Sequence, residues 1–270
     1  VLVQFPRNRG GCDEKNPLVS GSFRKGNTHQ TLVPIREVFS AAPELEVREF
    51  LLKDMVVPRC FGCALCISKG KEFCPTFAEE KELQDNLEWC DALVVASPVY
   101  NGRETFIVKA FFDKFTHFVH RPCFFEKKAM VLVTRGGLFR EAGKYISKTL
   151  RQWGFDVTVS CGEPELPVLR EHLLPKVEGK LKRKAMAFVR SLEKGKPPAA
   201  FSRKIWFEVW KVNVSLGKAI NPVDYDYWNS QGWLEASFYY PTRVNPFAKM
   251  LSVVLRPIME SQMRKTFKGY

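Results

Sequence analysis

No apolar run in this chain approaches the roughly 20 residues that a helix needs to span a bilayer. The first residues also lack the basic, apolar and small-residue zones of a signal peptide. Acidic side chains are outnumbered, 29 Asp and Glu against 42 Lys and Arg, which leaves a net charge of +13. Such a surplus favours phosphates, nucleic acids or acidic lipid surfaces. It is spread along the chain, however, without an aromatic-interleaved RNA motif or a helix-turn-helix signature. A basic, solvated surface is therefore expected, and no nucleic-acid partner. Eight cysteines are too few for a disulfide scaffold over 270 residues. Four of them crowd between Cys60 and Cys74, while Cys90, Cys123 and Cys161 lie in or beside apolar runs. Crowded thiols in a chain without a secretion signal read as a metal or redox site, with a reducing cytoplasm as the setting.

Between residues 17 and 194, short apolar runs alternate with helical patterns. Leu18–Gly21, Leu45–Leu52, Ala92–Ser97, Met130–Thr134 and Val157–Ser160 read as strands; the unbroken apolar run at Ala92 suits a strand buried on both faces. Helices are expected at Thr28–Phe39, with Pro34 a weak point, and from the Thr76-Phe77-Ala78-Glu79 capping box to about Trp89. Others are expected at Glu104–Val119, Glu141–Trp153 and Glu171–Leu192. Strict alternation implies an α/β fold with a doubly wound parallel sheet and right-handed crossovers. Ligands in such sheets sit beyond the carboxyl ends of the strands, so chemistry is expected just after strands one, three and four.

The three loops at those places carry suitable residues. Ser20-Gly21-Ser22-Phe23-Arg24-Lys25-Gly26-Asn27-Thr28 offers hydroxyls, an amide, backbone N–H groups and positive charge, which suits a phosphate. Ser97-Pro98-Val99-Tyr100-Asn101-Gly102 combines a stiff proline, a flat aromatic face and a glycine that permits close approach. Thr134-Arg135-Gly136-Gly137 is a third loop where a planar ligand could lie against bare backbone.

With these loops in place, the stretch from Leu18 to about Leu192 resembles the NADPH-dependent FMN reductases of the flavodoxin-like superfamily. Asp91–Gly102 and Lys109-Ala110-Phe111-Phe112-Asp113 carry most of the likeness, and Phe23 stands where that family has proline. The resemblance implies a flavodoxin-like five-stranded parallel sheet of order 2-1-3-4-5 and FMN as the cofactor. It implies that Ser22, Arg24, Asn27 and Thr28 bind the FMN phosphate. Pro98, Val99, Tyr100, Asn101 and Gly102 would meet the ribityl chain and ring, and Thr134, Gly136 and Gly137 would close the far side. NAD(P)H would be a transient donor stacking on the flavin, since the chain has no Gly-x-Gly-x-x-Gly of its own. A small molecule or a protein would accept the electrons, the chain would form a homo-oligomer, and no side chain need act as acid or base.

Cys60, Cys63, Cys66 and Cys74 follow the spacing C-x2-C-x2-C-x7-C. Thiolates so spaced can wrap a [4Fe–4S] cluster or a tetrahedral zinc, and iron–sulfur flavoproteins of the same family resemble this motif. A cluster, zinc and no metal at all remain three open readings. An oxidoreductase, an electron carrier between proteins and a non-catalytic member are the corresponding functions. His117 and His120, three apart, lack a third ligand and are read as structural.

Residues 1–16 are expected to be an irregular leader, truncated or foreign, although Val1–Phe5 could form a strand. Gly195-Lys196-Pro197-Pro198-Ala199-Ala200 reads as a linker to a Trp-rich helical extension over 201–270. That extension holds amphipathic stretches at Lys204–Ile220 and Lys249–Met263. Packing on the domain or a dimer partner is the simpler reading of these, and contact with a membrane surface the other.

Overall fold

The computed structural model describes residues 2–3, 16–20, 26–43, 45–135 and 140–266. They fall into two compact units. The first comprises 1–61, 78–116 and 122–195; the second gathers 62–77, 117–121 and 196–270.

The first unit is an α/β sheet. Its strands are β1 (Leu2–Val3), β2 (Asn16–Ser20), β3 (Val47–Leu51), β4 (Ala92–Tyr100), β5 (Arg103–Glu104), β6 (Lys128–Arg135) and β7 (Asp156–Pro164). They lie in the order β1-β3-β2-β4-β6-β7, with β5 attached to β4. The β2–β3, β2–β4, β4–β6 and β6–β7 pairs are parallel. Two antiparallel additions make the sheet mixed, which corrects the expectation of five purely parallel strands. Leu2–Val3 pairs with Val47–Arg48, and β5 folds back on the end of β4. The first addition also places Leu2 and Val3 in the sheet and not in an irregular leader.

The helices of this unit are α1 (Asn27–Thr31), α2 (Val33–Ser40), α4 (Phe77–Trp89), α5 (Phe106–Lys114), α7 (Arg140–Trp153) and α8 (Leu174–Leu192). Those of the second unit are α3 (Leu65–Ser68), α6 (His117–His120), α9 (Phe201–Leu216), α10 (Pro222–Ser230) and α11 (Pro246–Thr266). The single helix expected over 28–39 is split at Leu32, with Pro34 in the first turn of its second half. Proline is tolerated there because that turn has no intrahelical acceptor for its N–H.

Alternation along β4 sorts the core. Ala92, Val94 and Ala96, with Met130 and Leu132 of β6, meet Ile35 and Phe39 of α2 and Leu181, Ala185 and Phe188 of α8. The intervening residues of each strand point to the opposite face. There Phe111 and Phe112 of α5, with Phe115 just after it, gather around Trp153 at ring separations of 5.2–6.1 Å. Gly154 closes α7 at φ +112°, and a Cβ there would lie 2.9 Å from the backbone nitrogen of Phe124. Only glycine serves at such a corner.

Among the described residues of this unit, one charge pair is buried at both ends. Lys114 Nζ of α5 meets Glu80 Oε2 of α4 at 2.6 Å, with both side chains 1% exposed. Removing one partner of a buried pair strands the other charge at a cost of about 3–5 kcal/mol. Lys114→Met should therefore lower unfolding stability by about that amount. In urea denaturation the Glu80→Leu/Lys114→Met double variant should recover most of the loss, because no lone charge then remains.

Candidate functional site

Parallel strands deliver their carboxyl ends to one edge, and the adjacency of β2, β4 and β6 fixes which loops meet there. The loop after β2 runs into α1, whose second residue, Thr28, is 2% exposed. Its hydroxyl stands 2.6 Å from that of Thr134 near the end of β6, itself fully buried. Residues 106 apart in sequence thus share a hydrogen bond at the edge where a ligand was expected. Asn27 Nδ2 donates to Glu165 Oε2 at 2.6 Å, tying the start of α1 to the segment after β7. Thr31 adds a second tie: its hydroxyl accepts from Leu166 N at 3.1 Å and donates to the Asn27 carbonyl at 2.8 Å.

Between these loops stands the end of β4. Val99 pairs with Glu104 and Tyr100 with Arg103, so Asn101 and Gly102 form a two-residue hairpin turn. Both have positive φ, +50° and +77°. That is the requirement of a type I′ turn, in which Asn-Gly is the preferred pair. Gly102 is thus needed by the turn itself, a role beyond the close approach expected of it. Pro98 is buried, Val99 half-buried, and Tyr100 is 56% exposed at the rim. Ser97, fully buried, steadies the base of the hairpin. Its hydroxyl donates to the Pro98 carbonyl at 2.8 Å and accepts from Thr105 N at 3.3 Å.

Asn27 and Thr28 at the start of α1, Pro98, Val99 and Tyr100 at the end of β4, Asn101 and Gly102 in the turn and Thr134 near the end of β6 therefore lie at one sheet edge. Ser22, Arg24, Gly136 and Gly137 lie outside the described residues. The hairpin form of this loop, the bracing by Ser97 and the tie to Glu165 were not read from sequence, although the Asn101-Gly102 pair was a visible signal for the first. Beside the hairpin, Glu104 is buried, with Arg103 at 3.8 Å. Lys109 is held above the ordinary lysine value. Burial opposes its charge, and the hydrogen bond to Asp113, with Tyr145 and the Glu104 carboxylate nearby, outweighs it.

The cysteine segment behaves differently. Cys60 and Cys63 are exposed, Cys66 and Cys74 half-buried. Among the described residues no three His, Cys, Asp or Glu side chains are grouped so as to hold a metal ion. As placed, the four thiols do not fit a [4Fe–4S] cluster or zinc, and sequence spacing did not settle their convergence. Within the second unit Arg121 grips this segment. Its guanidinium donates to the carbonyls of Cys66 and Ile67 and to Asp224 Oδ1, the last at 3.0 Å. His120 Nδ1 meets the other Asp224 oxygen at 2.7 Å, and Trp228 Nε1 donates to the His120 carbonyl at 2.8 Å.

Thiol accessibility gives a direct check. Burial pushes the Cys90 thiol up to about 12 and Cys161 up to about 11. Because the thiolate is the nucleophile, both should stay unreactive toward iodoacetamide at pH 8 in the folded protein. Exposed Cys60, Cys63 and Cys123 should be alkylated first, as peptide mass spectrometry over a time course would show.

Residues 17–161 match the family model described as NADPH-dependent FMN reductase. The chain is similar to an iron–sulfur flavoprotein of Archaeoglobus fulgidus, 30% identical over 140 residues, covering 50% of this chain and 62% of that protein. It is also similar to an iron–sulfur flavoprotein of Methanosarcina thermophila, 26% identical over 96 residues, covering 36% of this chain and 49% of the relative. The chain thus spans less than two thirds of either relative's length. In fold it is similar to the Streptococcus mutans UA159 protein Smu.1420, with a TM-score of 0.51 at 15% identity over 63% of this chain and 97% of that one.

Proposed function

Because the chain belongs to the NADPH-dependent FMN reductase family, we propose that it is a flavin-dependent oxidoreductase that takes electrons from NAD(P)H and passes them to a small-molecule or protein acceptor. The observation that carries this reading is the 2.6 Å contact between the Thr28 and Thr134 hydroxyls. It joins the loops after β2 and β6 beside the β4–β5 hairpin, and the donor set there suits FMN. When bound, FMN supplies the hydride and electron chemistry.

The residues of the chain bind and orient. Ser22, Arg24, Asn27 and Thr28 hold the phosphate; Thr134, Gly136 and Gly137 close the far side. Pro98, Val99, Asn101 and Gly102 form a stiff turn against which the ribityl chain and ring can lie, and exposed Tyr100 screens the ring from water. Ser97 keeps that turn in register through its two hydrogen bonds. No side chain is assigned a proton transfer.

A second reading, an iron–sulfur flavoprotein carrying electrons between proteins, is favoured by the names of the relatives. It requires Cys60, Cys63, Cys66 and Cys74 to close on one centre, an arrangement absent among the described residues. This reading demands iron and sulfide in anaerobically purified protein, both lowered by Cys63→Ser.

Hydrogen bonds to a charged group are each worth about 1.5–3 kcal/mol. Arg24→Ala combined with Thr28→Ala should therefore weaken FMN binding by about a hundredfold or more. NADPH oxidation should fall at limiting FMN and recover in part with excess. Unchanged flavin affinity by fluorescence titration would overturn the phosphate assignment. Absence of NADH and NADPH oxidation in the fully loaded protein would overturn the donor.

A further inference from the structure

Strand β7 ends the strand order, and α7 passes close over β6 and β7. A Cβ on Gly143 of α7 would lie 3.6 Å from Val133 Cγ2 and 4.0 Å from Ser160 Oγ. Over that floor runs a groove of about 270 Å³, walled by Arg140, Lys144, Ser147 and Arg151 of α7 and by Ser160 and Gly162 of β7. Val133 and Thr134 are consecutive on β6 and so point to opposite faces of the sheet. The groove therefore lies on the other face from the Thr28–Thr134 contact and is separate from that site.

The four α7 residues recur at i, i+4, i+7 and i+11, which puts them on one face of the helix. Three are cations, and among the described residues that line the groove none is acidic. Arg140 and Lys144, four apart, repel each other. Lys144 is paired with Glu141 at 2.7 Å, but both side chains are more than half exposed, and such a pair gains little. Arg151 Nη2 donates to the Val157 carbonyl at 3.3 Å, which fixes its guanidinium beside β7. Ser147 is 4% exposed, with its hydroxyl 3.0 Å from that of Ser160. One of the two O–H groups makes that bond, and the other is left to donate elsewhere. Cations and a hydroxyl donor over the apolar side chains of Val133 and Cys161 suit an anion that carries a small organic body.

We propose that the groove between α7 and β7 binds a small-molecule phosphate monoester. The phosphate meets Arg140 and Lys144 and accepts a hydrogen bond from the Ser147–Ser160 pair. Arg140 and Arg151 stand eleven residues apart, about 16 Å of helix. One phosphate therefore occupies one end, and the organic part runs along α7 toward the other. An acidic peptide suits the groove less well. Two cations one turn apart balance a phosphate dianion, whereas a carboxylate brings a single charge.

The test is calorimetric titration of the full chain with phenyl phosphate at constant ionic strength, after saturation with FMN so that the loop after β2 is occupied. The wild-type chain should show one saturable site that weakens below about pH 6, where the dianion takes up a proton. Arg140→Ala with Lys144→Ala should weaken binding about tenfold or more, and Ser147→Ala several-fold. Lys148→Ala, exposed on α7 but outside the groove, should leave it unchanged. The Arg24→Ala/Thr28→Ala variant without FMN should keep the site, so a failed flavin assignment is told apart from a failure here. Absence of saturable binding overturns the proposal, as does undiminished binding by the Arg140/Lys144 variant. An equal loss in Lys148→Ala overturns it as well, since attraction would then be diffuse. So does capture of a hexaglutamate peptide with no binding of phenyl phosphate; the groove would then take an acidic protein segment.

Discussion

Burial of Ala92–Ser97 on both faces is the constraint from which the rest of the first unit follows. Ala92, Leu93, Val94, Ala96 and Ser97 are fully buried and Val95 is 1% exposed. A strand in that condition has to lie inside the sheet with helices on either side. Parallel neighbours then need helical crossovers, which supply α2 to one face and α5 and α7 to the other, while α8, after the last strand, packs beside α2. The same geometry sends the ends of β2, β4 and β6 to a common edge. The position of the proposed site is thus set by the core.

The edge is then made rigid by a few polar groups placed where water is scarce. Thr28, Ser97 and Thr134 are each 2% exposed or less, and each has a hydrogen-bond partner there. Leaving any of them unpaired would cost more than the bond itself gains. These hydroxyls therefore hold the start of α1, the β4–β5 hairpin and the end of β6 close to one arrangement. Exposed Tyr100 is the exception, placed at the rim by the positive-φ turn that follows it.

Sequence was most informative where a local pattern and a local cause coincide. The apolar run at Ala92 and the helix opening after Thr76 could both be read because their periodicity or capping chemistry is carried by neighbouring residues. Several other features needed distant partners. The break at Leu32 depends on how α1 meets Glu165 and Leu166, more than a hundred residues away. The gathering of 62–77 and 117–121 with the C-terminal seventy-odd residues leaves no periodic trace. The spacing of Cys60, Cys63, Cys66 and Cys74 permits a cluster, yet it specifies neither backbone path nor side-chain direction. Asn101-Gly102 was legible as a hairpin and was read only as a place where a ligand could approach closely.

In the second unit a buried carboxylate does the organising that β4 does in the first. Asp224 is 2% exposed, and a lone carboxylate so deep would be expensive. Arg121 and His120 both reach it, so its oxygens are answered from two consecutive residues. The Arg121 guanidinium then has donors left over, and it spends them on the Cys66 and Ile67 carbonyls. One charge thereby fixes α10, the 117–121 turn and the cysteine segment together. Ala64 just before α3 has φ +55°, a conformation that a residue with a Cβ adopts only where its surroundings impose it. The Arg121 grip on the Cys66 and Ile67 carbonyls, two and three residues on, is such an imposition. The path of the cysteine segment is thus set by the C-terminal part of the chain, and thiol reactivity there should follow the integrity of Asp224 as much as the local spacing of the cysteines.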